Sequence, residues 1–255
     1  MSKNILEVSG LMMRFGGLLA VNGVKLTIKE GQVVSMIGPN GAGKTTVFNC
    51  LTGFYQPPDG KIVFAGEEIQ GLPGHKIARK GMIRTFQHVR LFKEMTVLEN
   101  LLVAQHQHLN NSLLAGLFKT PSYRKAEQEA LDNALYWLQK VRLVEDANRE
   151  AGTLAYGQQR RLEIARCMVT RPSLLMLDEP AAGLNPSETD ELKQLIKDLR
   201  DNHGISVLLI EHDMKLVMDI SDHIVVINQG TPLASGTPEQ VRNNPAVIKA
   251  YLGED

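Results

Sequence analysis

Cysteine is scarce in this 255-residue chain: only Cys50 and Cys167 occur. Two such residues build no disulfide framework, which fits a reducing compartment. Neither sign of charge is in excess, because 28 Lys and Arg face 28 Asp and Glu. That balance argues against a dedicated nucleic-acid binder, which carries a basic surplus. Long hydrophobic runs are missing as well. No stretch approaches the ~20 apolar residues that cross a bilayer. The opening MSKNILEVSG lacks the apolar centre of a signal peptide. The expectation is a cytosolic chain whose link to a membrane goes through a partner. Internal repeats, low-complexity tracts and long linkers are also missing. What is present is 43% hydrophobic and 22% charged, neither a disordered nor a collagen-like composition. The length holds one large domain or two small ones.

The first third reads as β-rich. VKLTI at 24–28 alternates, a turn follows at Glu30-Gly31-Gln32, and VVSMI at 33–37 is an apolar run of the buried-strand type. A glycine-rich stretch leads into a predicted helix from Lys44 to about Leu51. Ile62 to Phe64 reads as another strand. The middle third is helical. Ala126, Ala130, Leu131, Ala134, Leu135, Leu138 and Val141 recur at helical spacing within 123–141. Residues 110–121 form a looser connection. The last third returns to α/β, with LLML at 174–177 and ISVLLI at 205–210 as strands covered on both faces. Asn185-Pro186 opens a helix with its buried stripe at Leu192, Leu195, Ile196 and Leu199. Ile224 to Ile227 is a further strand, and Thr237-Pro238-Glu239-Gln240 has capping-box spacing.

Two motifs carry chemistry. Gly38-Pro39-Asn40-Gly41-Ala42-Gly43-Lys44-Thr45 fits the phosphate-binding pattern G-x-x-x-x-G-K-[ST], placed between a strand and a helix as that pattern requires. Glycines let the backbone turn its N–H groups onto phosphate oxygens, and the helix N-terminus favours anions. Lys44 would meet the β- and γ-phosphates, and the Thr45 hydroxyl would ligate Mg²⁺. Further on, LLMLDE ends an apolar strand in two acids, near the phosphate loop of a parallel sheet. Asp178 can hold Mg²⁺ through water, and Glu179 can polarise an attacking water.

LAYGQ at 154–158 precedes an Arg-bearing segment, Arg160 to Met168. Phosphate loop, LAYGQ, LLMLDEP and the later His212 occur in the order seen in ABC-transporter ATPase subunits. The resemblance runs from Phe15 to the final Asp255. It implies an α/β fold: a P-loop NTPase core with a mostly parallel sheet, an antiparallel β subdomain and an inserted helical subdomain. The chain is then one ABC ATPase domain over 1–255. Its β-rich and α/β core takes about 1–87 and 156–255, and its helical subdomain about 88–155. ATP and Mg²⁺ are the implied cofactors. Residues 38–45 with Thr46 would bind nucleotide, and Phe15 would stack on adenine. Gln87 resembles the glutamine that senses Mg²⁺ and the γ-phosphate, while His212 resembles the switch histidine. Lys44, Gln87, Glu179 and His212 form the implied catalytic set, with Thr45, Gln87 and Asp178 as metal ligands. Without the family pattern, Phe15 is as readily an ordinary core or surface residue. Gln87 would be a solvated loop residue, and His212 a strand-end histidine satisfied by a carboxylate.

In the family the signature, here Ala155, Tyr156, Gly157 and Gln158, belongs to the other protomer's ATP. Ala155 replaces the customary serine and removes its hydroxyl contact. Asn185 stands where the family has Asp, and can still hydrogen-bond across a dimer without charge. LAYGQQRRLEIAR, DEPAAGLNP, RTFQHVRLF and AYLGED look like one branch, the ATP-binding subunits of high-affinity branched-chain amino acid importers. That branch implies a second ATP-binding subunit, a paralogue in the cell or an identical chain when isolated. It also implies transmembrane permease subunits and, indirectly, an extracytoplasmic amino-acid-binding protein. Nucleic acid is not an implied partner. The chain would sit on the cytoplasmic side of the membrane. Competing readings are a related motor exporting lipid or lipopolysaccharide, a soluble non-transport ATPase, and a nucleotide-binding regulator. Elsewhere the expectations are structural. Cys50 and Cys167 are core residues, Trp137 lies on the apolar side of its helix, and His106 and His108 are solvated. Arg160-Arg161 faces solvent or phosphate.

Overall fold

The computed structural model describes residues 3–105 and 120–252. His106, His108, most of the 110–121 connection and Gly253 to Asp255 lie outside them. Contacts among residues divide the chain into two units. The first is Met1–Gln87, Ser173–Ala182 and Thr189–Asp255, and the second is His88–Pro172 and Gly183–Glu188.

The first unit holds two sheets. Strands β1 (Asn4–Phe15) and β2 (Leu18–Lys29) make a long antiparallel hairpin. With β4 (Asp59–Phe64) and β5 (Glu67–Glu68) they form a four-stranded sheet in the order β2-β1-β4-β5. The second sheet comprises β3 (Val33–Ile37), β6 (Met82–Arg84), β7 (Leu174–Asp178), β8 (Ser206–Ile210), β9 (His223–Asn228) and β10 (Thr231–Gly236). Its order is β10-β9-β3-β8-β7-β6, parallel throughout except for the antiparallel edge strand β10. Every residue of β3, β7 and β8 is buried, as continuous apolar runs require of strands covered on both faces.

Helix α1 (Lys44–Leu51) brings Val47, Phe48 and Leu51 into the core with Leu6, Ile28, Met36 and Phe64 of the two sheets. Helix α2 (Gly74–Arg79) adds Ile77 to the same cluster. Cys50 belongs to that core too, and burial pushes its thiol up to about 11.

In the second unit, α3 (Val97–Ala104), α4 (Pro121–Lys140) and α5 (Tyr156–Met168) pack on one another. Trp137 is buried in α4, on the side expected for it. The helical region was expected to end near 155, but its unit continues to Pro172. The reason is that α5 is fastened to its neighbours: Asn133 in α4 donates to Val169 O at 3.1 Å. Arg160 is a second correction. It is 2% exposed and pairs with Glu163 at 3.0 Å, so it faces neither solvent nor phosphate. An arginine tolerates burial when a carboxylate one helical turn away neutralises it. Cys167 is buried in the same helix, and desolvation pushes its thiol up to about 12.

Helix α6 (Pro186–Asp201) buries Leu192, Leu195, Ile196 and Leu199. Past β8 come α7 (Met214–Ile220), α8 (Pro238–Arg242) and α9 (Pro245–Leu252). Val217, Val241 and Val247 of these helices close over Ile37, Ile224 and Val226. Thr237 and Gln240 make the reciprocal capping box that starts α8.

Candidate active site

Parallel strands point their C-terminal ends the same way, so the segments leaving them collect along one sheet edge. Across the order β3-β8-β7-β6 these segments are the phosphate loop, Glu211-His212, Asp178-Glu179 and Arg84 to Gln87. Residues far apart in sequence therefore become neighbours.

The loop from Gly38 to Gly43 is fitted closely to the surrounding backbone. A Cβ on Gly38 would lie 2.0 Å from Ile227 O, and one on Gly43 would lie 2.6 Å from Ala20 O. Gly43 has a φ of +99° and caps α1 without a side-chain hydrogen bond. No acidic residue sits in the first turn of α1. Its leading amides, those of Lys44, Thr45 and Thr46, therefore remain for an anion. Lys44 is 6% exposed and folds back on its own loop, donating to Gly38 O at 2.6 Å and Pro39 O at 3.0 Å. Burial lowers its pKa, an effect that the nearby Glu179 and Asp178 partly oppose. Asn40 and Thr45 are exposed.

Glu179 is held from both sides. His212 Nε2 lies 2.8 Å from its Oε1, and Gln87 Nε2 donates to its Oε2 at 3.0 Å. Burial raises the Glu179 carboxyl, but the bonds from His212 and Gln87, with the field of Lys44, bring it below its ordinary value of 4.5. Its backbone is left-handed, at φ +48°, a geometry that costs an L-residue about 1–2 kcal/mol. Two bonds offset that cost. The Glu179 N–H reaches Ile210 O at 2.9 Å, and the Ala181 N–H reaches Glu211 Oε1 at 2.7 Å. Glu211 Oε2 also accepts the His212 N–H at 2.9 Å. One buried carboxylate thus secures the turns after both β7 and β8.

Asp178 ends β7 with its carboxylate against Arg84, Nη2 to Oδ2 at 2.6 Å. Arg84 Nη1 donates to Asn49 Oδ1 of α1, also at 2.6 Å. Motif reading missed Arg84, Asn49 and Glu211. Arg84 and Glu211 each lie inside a segment chosen for another residue. Asn49 had no signal beyond its place one turn past the phosphate loop.

The structure brings Lys44, Gln87, Asp178, Glu179 and His212 to this edge. Phe15 ends β1 at the hairpin tip, 40% exposed, with its ring edge-on to Tyr55 at 5.0 Å between centroids. The signature residues lie in the second unit. There Ala155 precedes α5, and Gln158 Oε1 accepts the Ala155 N–H at 3.0 Å. Ala155 has no side-chain oxygen to return, so only half a capping box forms. Gly157 lies close under Glu188: a Cβ there would meet Glu188 Oε1 at 2.3 Å. Asn185 and Glu188 exchange bonds that start α6, at 2.9 and 3.0 Å.

A phosphate loop heading an uncapped helix, with a held carboxylate two strands along the same sheet, defines a P-loop nucleotide-hydrolysing domain. Comparison with known proteins narrows the class. A family profile described as "ABC transporter" matches residues 21–182. Another, "Branched-chain amino acid ATP-binding cassette transporter", matches residues 231–255. The chain is 77% identical over 254 residues to the high-affinity branched-chain amino acid transport ATP-binding protein BraF of Pseudomonas aeruginosa, covering 100% of both. It is 68% identical to LivG, which carries the same description in Escherichia coli, again over 100% of both chains. A crystal structure of an ABC-transporter ATP-binding cassette in its ADP conformation superposes with a TM-score of 0.86. Identity there is 33%, covering 99% of this chain and 100% of the other. The chain belongs to the ABC transporter family, in the branch of the branched-chain amino acid transport ATP-binding proteins. It is an ATP-hydrolysing enzyme of the transport type.

Proposed function

We propose that this chain is the motor subunit of an importer for leucine, isoleucine and valine. The observation that carries the catalytic part is Glu179, fixed between His212 and Gln87 beside the phosphate loop. The α1 amides and Lys44 take the nucleotide phosphates, with Lys44 exchanging its loop carbonyls for phosphate oxygens. The Phe15 ring takes the adenine face. Glu179 orients the attacking water, and His212 and Gln87 hold the carboxylate on line.

The local donors suit Mg²⁺. No group of three His, Cys, Asp or Glu able to hold a metal occurs among the described residues. The Thr45 hydroxyl and the Asp178 carboxylate, with Gln87, are the oxygen donors on offer. That set holds Mg²⁺ only together with nucleotide phosphates, the usual arrangement for this ion. When bound, Mg²⁺ would neutralise charge on the β- and γ-phosphates.

The Glu179 shift makes a prediction about pH. A carboxyl lowered below 4.5 is ionised throughout the neutral range. It is a weak base, suited to orienting water more than to removing a proton at rest. Any acid limb in the rate that belongs to Glu179 falls below pH 4.5. An acid limb centred above pH 4.5 that is unchanged when His212, the histidine bonded to Glu179, is replaced by Gln would contradict this.

In the assembly, Ala155 to Gln158 face the partner subunit's ATP, and Asn185 hydrogen-bonds across the dimer. With Ala155 lacking a hydroxyl, the amides at the start of α5 carry that contact. No helix among the described residues is long and apolar enough to cross a membrane. Permease subunits therefore hold the chain at the inner face of the membrane. An extracytoplasmic binding protein selects the cargo. The test is ATP hydrolysis by the complete transporter in proteoliposomes. Leucine-loaded binding protein should stimulate it severalfold, and a lipid or lipopolysaccharide should not. Stimulation by lipid alone would move the chain to another cargo.

A further inference from the structure

We infer that Arg84 is a positioning residue for the metal-side carboxylate, holding Asp178 in the orientation that the nucleotide's Mg²⁺ needs. This rests on the nucleotide-hydrolysing reading above and extends it to a residue that motif reading leaves out. The guanidinium bridges two elements. One nitrogen binds Asn49 on the phosphate-loop helix, and the other binds Asp178 at the end of β7, both at 2.6 Å. Arg84 itself ends β6, three residues before Gln87. One side chain therefore ties together the phosphate-loop helix, the metal-side acid and the strand that feeds Gln87.

The contact is enclosed. The Arg84 and Asp178 side chains are 9% and 3% exposed. The guanidinium lies 5.4 Å from the Phe48 ring centre and 5.5 Å from that of Phe86. Stability alone explains this poorly. A buried ion pair is often no better than apolar residues of equal volume. Here, moreover, Arg84 Nε is buried without a hydrogen-bond partner, and an unmade bond of that kind costs stability. What the fork supplies is geometry. It commits Asp178 Oδ2 to the guanidinium, so Oδ1 would be the oxygen open to a metal's water. It also balances the buried charge of Asp178 before any metal arrives. A lysine keeps the charge but, as a point donor on a flexible stem, cannot hold both Asn49 and Asp178 in one plane.

The experiment measures a fluorescent ADP analogue binding to the purified chain, once in excess EDTA and once in Mg²⁺. The ratio of the two affinities is the metal enhancement, and a general loss of stability does not change it selectively. In Arg84→Lys the EDTA affinity should stay at the wild-type value. The enhancement should fall by about 10-fold, the low end for residues that orient a metal's ligands. In Asp178→Asn the enhancement falls as well, and adding Arg84→Lys to it should change nothing further, because both act through one contact. Asn49→Ala removes one anchor of the fork and should give a smaller loss of the same sign. It also serves if Arg84→Lys does not fold. A wild-type enhancement in folded Arg84→Lys, or in Asn49→Ala where it is the folded variant, overturns the inference. So do additive losses in the double variant. If wild-type protein gains nothing from Mg²⁺, the metal-side role proposed for Asp178 fails first, and the assignment to Arg84 with it.

Discussion

Replacing Glu179 by Gln should stop turnover and spare binding. Glutamine keeps the shape of the side chain and can still meet Gln87 and His212, but it carries no charge to orient or polarise water. Loss of such a group lowers rate by about 10²–10⁴-fold. The phosphate-binding part of the site is separate in the chain: it consists of the loop from Gly38, Lys44 and the amides of α1. ATP affinity should therefore remain near that of the wild type. Single-turnover hydrolysis and equilibrium binding on the same preparation check both halves. Loss of binding in proportion to turnover would mean that Glu179 supports the fold of the site and not its chemistry.

The second large effect falls on a single methyl group. Gly38→Ala places a Cβ 2.0 Å from Ile227 O, 3.1 Å from Ile227 C and 3.2 Å from the Ala42 Cβ. The nearest atoms are backbone, and β9 is hydrogen-bonded to β3 through the pair Ile37 and Val226. Neither strand can retreat without breaking that ladder, so the loop must move. Overpacking a well-filled site costs about 1–3 kcal/mol or more. The displaced loop would also lose its aim at phosphate. Urea unfolding should show a clear drop in midpoint, and nucleotide binding should fall more than stability does. A variant within about 0.5 kcal/mol of wild type, the range of ordinary surface changes, and with normal binding would contradict this.

The parts of the fold that were legible are those whose signal is local. The strand at Val33–Ile37 and the helix at Lys44–Leu51 have their expected bounds. An unbroken apolar run and a glycine-rich turn mark them without ambiguity. Of the opening hairpin, only 24–28 shows a strand's alternation in the sequence. Register shifts between Val8 and Leu11, and again between Leu11 and Met13, break the alternation that marks a strand. β6 has three residues and exists as a strand only through its pairing with β7. The acids that end β7 were found from the chain order of motifs, because they follow a strand that is itself plain. Arg84 gave no local sign, since its partner Asp178 lies 94 residues away. Arg160 did carry one: Glu163 stands three residues on, at the spacing of a paired carboxylate on the same helix face. Two adjacent arginines at a helix start mask that sign, because such a pair is the usual pattern of a solvated face.

The most direct test of the account is labelled leucine uptake at low concentration. It would use cells lacking this chain, complemented with the wild-type chain or with Glu179→Gln at equal expression. High-affinity uptake should return with the wild type and not with the variant. Uptake that is normal without the chain, or restored equally by Glu179→Gln, would contradict a leucine importer driven by hydrolysis at this site.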